Sequence, residues 1–118
     1  MQKSGLSIAT NQVGPVTVIS LVGYLDAHTI VDLERFLDQL LKAGHKKLVM
    51  DLAQLTYIAS AGVGLFINLN HRLKGLGSVQ LVNPSPNVKE IFTILGLDAI
   101  FTLHPNVAAG VAAAAIPG

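Results

Sequence analysis

Apolar positions alternate with polar ones at the start of the chain, and then the period changes. Leu6 to Gln12 and Val16 to Val22 are rich in Val, Ile and Thr, and Val13-Gly14-Pro15 separates them. Two such runs joined by a turn signal predict an antiparallel hairpin. Gly23-Tyr24-Leu25-Asp26 leads out of its second strand. From Ile30 the spacing is helical. Ile30, Leu33, Leu37, Leu40 and Leu41 share one face, with Asp32, Glu34, Arg35, Asp38 and Lys42 opposite. Thr29 or Asp26 is the expected cap of this helix, and Gly44 follows its expected end.

Lys47 to Leu52 predicts a third strand that ends at about Asp51. Its unbroken run Leu48-Val49-Met50 suits a central strand covered on both faces. A second helix is expected from about Ala61 to Leu76, burying Gly62, Leu65, Phe66, Leu69, Leu73 and Leu76. Ser78 to Val82 is a fourth strand. Ser85 and Pro86 then mark a helix start, with Val88, Ile91, Phe92 and Leu95 as its apolar stripe and Gly96 as its stop. Ile100 to Leu103 is a short fifth strand. Asn106 caps a last helix that ends near Ala115.

The order ββαβαβαβα implies βαβ units with right-handed crossovers. The expected fold is an α/β sandwich with a mixed four- to five-stranded sheet and about four helices. It forms one domain over residues 1–118, since 118 residues supply one core and not two.

Charge and composition narrow the function more than the fold. Eight basic and seven acidic residues nearly cancel, and no basic run appears. Nucleic-acid binding therefore has no electrostatic footprint. Cysteine is absent, which removes disulfides, thiolate metal sites and a cysteine nucleophile. The first residues, MQKSGLSIATNQVG, lack an apolar signal core. The most apolar tract, Val107 to Ile116, has ten residues, whereas a membrane span needs about 20. A cytoplasmic protein with no membrane contact is expected.

Among candidate chemical groups, Ser60 stands out, because it opens a helix through the small residues Ala61-Gly62-Val63-Gly64. As a helix N-cap its hydroxyl would accept a backbone N–H bond, worth about 1 kcal/mol. As a phosphorylation site it would place roughly two negative charges at the positive end of a helix. Both readings are compatible with the residues. Gly62 and Gly64 each cost about 1 kcal/mol of helix propensity if interior. Such a cost implies close approach of another backbone, within the domain for Gly62, or from a partner. The run is not a phosphate-binding loop, because neither GxxxxGK[ST] nor G-x-G-x-x-G is present.

His28, His45, His71 and His104 each stand alone, without metal-ligand spacing. No metal and no cofactor are expected. Asp26, His28 and Ser60 lack the G-x-S-x-G elbow of a hydrolase. Asp51, at a central strand, lacks the acidic pair that would hold magnesium beside a phospho-acceptor. An enzymatic role is not expected.

Three spaced blocks resemble those of STAS domains, the family of bacterial anti-sigma factor antagonists and sulfate-transporter tails. Gly23-Tyr24-Leu25-Asp26 resembles the family's G-x-L-D element. Ser60-Ala61-Gly62-Val63-Gly64 resembles its D-S-[ST]-G-[LV]-G segment. The stretch from Asn83 to Phe92, with Leu95-Gly96-Leu97, is similar to its S-P-x-V block. The blocks cover nearly the whole chain in the right order.

The resemblance implies a switch. An unmodified antagonist binds an anti-sigma factor and frees a sigma factor. The anti-sigma factor is also an ATP-dependent serine kinase, and it phosphorylates the first serine of the segment, here Ser60. A metal-dependent serine phosphatase restores binding. The antagonist itself binds no ATP, and a monomer or weak dimer is expected. This chain departs from the pattern on both sides of Ser60, where Ala59 replaces the aspartate and Ala61 the second hydroxyl residue. Those changes make the surface more apolar, which suits protein docking. The expected contact residues are Asp26, His28 and Thr29, with Tyr57, Ala59, Ser60, Ala61, Gly62, Val63 and Gly64. The alternatives are an unphosphorylated scaffold subunit of a larger signalling assembly, or a domain that binds a nucleotide or lipid.

Overall fold

The computed structural model describes residues 2, 3 and 5–116. Its elements are β1 (Gln2–Lys3), β2 (Leu6–Val13), β3 (Val16–Leu25), α1 (Ile30–Lys42), β4 (Lys47–Ile58), α2 (Ser60–Leu73), β5 (Ser78–Val82), α3 (Pro86–Ile94), β6 (Leu103–His104) and α4 (Val107–Ala115). A 3₁₀ turn at Leu97–Ala99 lies between α3 and β6. One six-stranded sheet runs in the order β1-β2-β3-β4-β5-β6. The hairpin β2–β3 is antiparallel, from Leu6↔Gly23 to Val13↔Val16. From β3 to β6 every pairing is parallel. Each parallel step carries a helix in its connection, as the chain must return to the same end of the sheet.

The sheet sorts its side chains by alternation. Ile19, Leu21, Leu48, Met50, Leu52 and Leu81 join Leu33, Leu37, Phe66, Leu69 and Phe92 of α1, α2 and α3 in one large core. Val16, Val18, Val49 and Val82 form a smaller core on the other face, beneath Ala114 of α4. Gly110 brings α4 down onto that face, where a Cβ would run into Val82 and crowd Val49. The apolar C-terminal tract is therefore a packed helix. Beyond α4's reach the same face is open, and Val22, Tyr24 and Tyr57 stay 42, 39 and 48% exposed.

Several boundaries differ from the expectation. The third predicted strand does not end at Asp51 but continues to Ile58. Its pairing with β3 shifts register between Ser20 and Val22 and again between Gly23 and Tyr24. Extra residues in β4 absorb those shifts as bulges. Ala53, Gln54, Thr56 and Tyr57 are exposed, so the strand's second half lacks the continuous apolar run of its first. A sixth strand is present, the two-residue β1. α2 stops at Leu73, and Gly75 at φ 79° turns the chain, so Leu76 is 62% exposed and leaves the buried stripe. The last strand is Leu103–His104 rather than Ile100–Leu103. The helix starts at Ser85 and Asn106 are as expected: their side chains accept N–H bonds from Val88 and Ala109.

Candidate partner-docking surface

Parallel pairing of β3 and β4 sets the geometry. Tyr24 pairs with Tyr57 and Leu25 with Ile58 at the C-terminal ends of the two strands. Ala59 extends the pairing by donating its N–H to the Leu25 carbonyl at 2.8 Å. The segments that leave β3 and β4 must then lie side by side. The first is the loop Asp26–Thr29; the second is the start of α2. Outside the carboxyl ends of parallel strands is the usual position for binding sites in open α/β sheets.

The loop is held by its own polar groups. One Asp26 carboxylate oxygen accepts the N–H groups of His28 and Thr29, each at 2.9 Å. The Thr29 hydroxyl accepts the Asp26 N–H at 3.0 Å and donates to the Tyr24 carbonyl at 2.8 Å. Thr29 is 3% exposed. The Thr29 N–H holds the Asp26 carboxyl below its ordinary value of 3.8; partial desolvation opposes this and the His28 N–H assists it. Neither residue caps α1 through its side chain as expected. Thr29 occupies the N-cap position, but its hydroxyl is turned into the loop.

The start of α2 is arranged differently. Ala59 holds the N-cap position, with φ −83° and ψ 168° and no side-chain cap bond. Ser60 is the first helical residue, so the expectation that it caps the helix is corrected. The Ala59–Leu25 hydrogen bond holds Ala59 extended just past the end of β4, which makes Ala59 the cap and starts the helix one residue earlier than expected. Ser60 is exposed, and its hydroxyl has no protein partner among the described residues.

The two glycines of the segment divide in role. A Cβ on Gly62 would lie 2.8 Å from Ile58 Cγ1 and 3.1 Å from Leu25 Cβ. That is the close intradomain packing expected at this position. A Cβ on Gly64 would meet nothing within 4 Å. Gly64 instead borders a groove of about 470 Å³ between α1 and α2. Its floor includes Leu37 and Leu69, and Glu34 and Asn68 stand on its walls.

Asp26, His28, Tyr57, Ala59, Ser60, Ala61 and Gly64 thus share one accessible surface. Thr29, Gly62 and Val63 are buried beneath it and set its shape. Tyr24, beside Tyr57 through the parallel register, was not foreseen as part of this surface. Its clue in the sequence was an aromatic one residue past the glycine of a strand that leads straight into the loop.

Other polar residues are engaged elsewhere. His45 Nδ1 lies 3.1 Å from the Thr17 hydroxyl, and His104 Nε2 lies 2.8 Å from the side-chain amide oxygen Oε1 of Gln80. Asp51 lies within β4 rather than at its end, and accepts the Ala53 N–H. Among the described residues no group of three or more His, Asp or Glu is placed to hold a metal ion. Nor is any described helix long and apolar enough to cross a membrane.

The STAS domain family model matches residues 7–110, a span that takes in both strand ends and all of α2. The chain belongs to the STAS domain family. BtrV of Bordetella bronchiseptica, assigned as an anti-sigma factor antagonist, is 27% identical over 109 residues, covering 92% of this chain and 94% of BtrV. An anti-sigma factor antagonist from Mycobacterium paratuberculosis has the same fold, with a TM-score of 0.85 at 21% identity over 96% of this chain and 97% of that one. So has SpoIIAA of Bacillus. Its unphosphorylated form gives a TM-score of 0.76 at 24% identity, over 95% of this STAS chain and all of that one. Its phosphorylated form gives 0.69 at 23%, over 91 and 98%.

Proposed function

We propose that this STAS protein is a non-enzymatic anti-sigma factor antagonist of the cytoplasm, switched by phosphorylation of Ser60. The observation that carries the reading is the free, exposed Ser60 hydroxyl at the helix start, between the Asp26–Thr29 loop and the groove beside Gly64. The names of its relatives supply the class of partner. In this reading the anti-sigma factor is also the serine kinase that brings ATP. A serine phosphatase resets the surface.

The physics of the switch comes from position. A phosphoserine carries roughly −1.5 to −2 charges. At the first residue of α2 that charge meets the positive end of the helix dipole, so the fold tolerates it. The cost falls on the docked partner, whose contact is desolvated and apolar around Ala59, Ala61 and Tyr57. Isothermal titration of the cognate anti-sigma factor into wild type, Ser60→Ala and Ser60→Asp tests this. The alanine variant is expected to bind as wild type does, and the aspartate variant at least about tenfold more weakly. Equal affinity for all three would defeat the switch.

A further inference from the structure

We propose that the groove between α1 and α2 receives a cationic side chain, arginine or lysine, from the partner. The inference rests on the docking reading above and specifies the chemistry of the group that docks. Three features of the groove support it.

The first is an uncompensated charge. Glu34 and Asp38 lie one turn apart on α1, a like-charge spacing that disfavours the helix. Asp38 is relieved by Arg72 of α2, whose Nη1 lies 2.9 Å from Asp38 Oδ1. Glu34 has no cationic partner among the described residues. The three charges on the groove walls therefore sum to one negative charge, and Glu34 carries it.

The second is the floor. Leu37 and Leu69 are nearly fully buried below the groove, and Leu65 packs against the same core. An apolar floor beside a single carboxylate suits a side chain with a hydrocarbon stem and a charged head. Lysine and arginine have that form, and they bury the stem along apolar surface while the head stays at the polar rim. A purely apolar side chain would leave Glu34 facing it without compensation, and an acidic one would be repelled.

The third is the opening itself. Glycine inside a helix costs about 1 kcal/mol relative to alanine. At Gly62 the domain's own packing explains that cost; at Gly64 nothing within 4 Å does. The space above Gly64 is left unused by the fold, one turn along α2 from Ser60. A side chain entering there borders Leu65 and Leu69, which line the same groove.

The test is a nuclear magnetic resonance titration of the ¹⁵N-labelled full chain at low ionic strength. The probes are N-acetyl-arginine amide and, as control, N-acetyl-leucine amide. The arginine probe is expected to move the Gly64 and Asn68 amides in a saturable way, and the leucine probe is not. Glu34→Gln, an exposed substitution that keeps the fold, is expected to weaken the response several-fold. Gly64→Leu, which fills the opening, is expected to abolish it. Shifts that are absent, centred elsewhere or unchanged by Glu34→Gln would overturn the proposal. The anti-sigma factor supplies a second readout: Glu34→Lys should bind it more weakly than Glu34→Gln does. A groove that answers arginine in a protein whose partner binding ignores Ser60→Asp would sink the switch and leave the groove standing. The reverse pattern would do the opposite.

Discussion

The Asp26–Thr29 loop and the first turn of α2 lie side by side, yet the loop engages the Asp26 and Thr29 side chains while the turn leaves the Ser60 hydroxyl free. In the loop, one carboxylate and one hydroxyl engage three backbone N–H groups and a carbonyl. In the turn, alanine fills the cap position and the one hydroxyl projects to solvent. A contact residue whose hydrogen bonds are already made presents a fixed shape. A free hydroxyl at a helix start is accessible to whatever docks there. In the proposed switch, the loop half of the surface supplies shape and the turn half supplies control.

The comparison can be broken from either side. The largest effect is expected from Thr29→Val, which keeps the side-chain volume but strands the Asp26 N–H and the Tyr24 carbonyl. Loss of buried hydrogen bonds of this kind costs about 2 kcal/mol. Chemical denaturation should show it as a lower midpoint at unchanged slope, and an unchanged midpoint would mean that the loop is not self-supporting.

The two glycines give the next test, and their signs are opposite. Gly62→Ala drives a methyl group into Ile58 and Leu25 and should destabilise by about 1–2 kcal/mol after the gain in helix propensity. Gly64→Ala meets open space and should stabilise by up to about 1 kcal/mol. If both variants move stability the same way, the division between a packed and an open glycine is wrong.

The smallest effect concerns acid. The folded Asp26 carboxyl is held below its ordinary 3.8. Its contribution to stability is present above that value and is lost as pH falls through the lowered one. The stability difference between wild type and Asp26→Asn should therefore shrink on acidification below the usual carboxylate range. A difference that grows instead would reverse the sign of the argument.

Much of the fold was legible in the chain, for physical reasons that differ by element. The hairpin and the four helices were readable because turn residues and apolar spacing leave local signatures. Ser85, Asn106 and Gly96 took their expected positions because capping and left-handed turns are decided within a few residues. The second half of β4 was not readable. α4 covers only the lower part of its face, so Ala53, Gln54 and Thr56 stay exposed and look like loop. The start of α2 was hidden for a related reason. A hydrogen bond to the distant Leu25 fixes it, and no local pattern encodes that bond. The same non-local pairing set Tyr24 beside Tyr57. The charge imbalance in the groove depends on Arg72 reaching Asp38 across two helices, which spacing along one helix does not reveal.

The most direct test of the central claim is a mass measurement. The protein is mixed with its proposed partner, an anti-sigma factor with serine kinase activity, and ATP, the complex is followed by size-exclusion chromatography, and the phosphopeptides are mapped. A single phosphate on Ser60, appearing as the complex falls apart, is the predicted result. Phosphate on another residue, or a complex that persists once Ser60 is fully modified, would contradict the account.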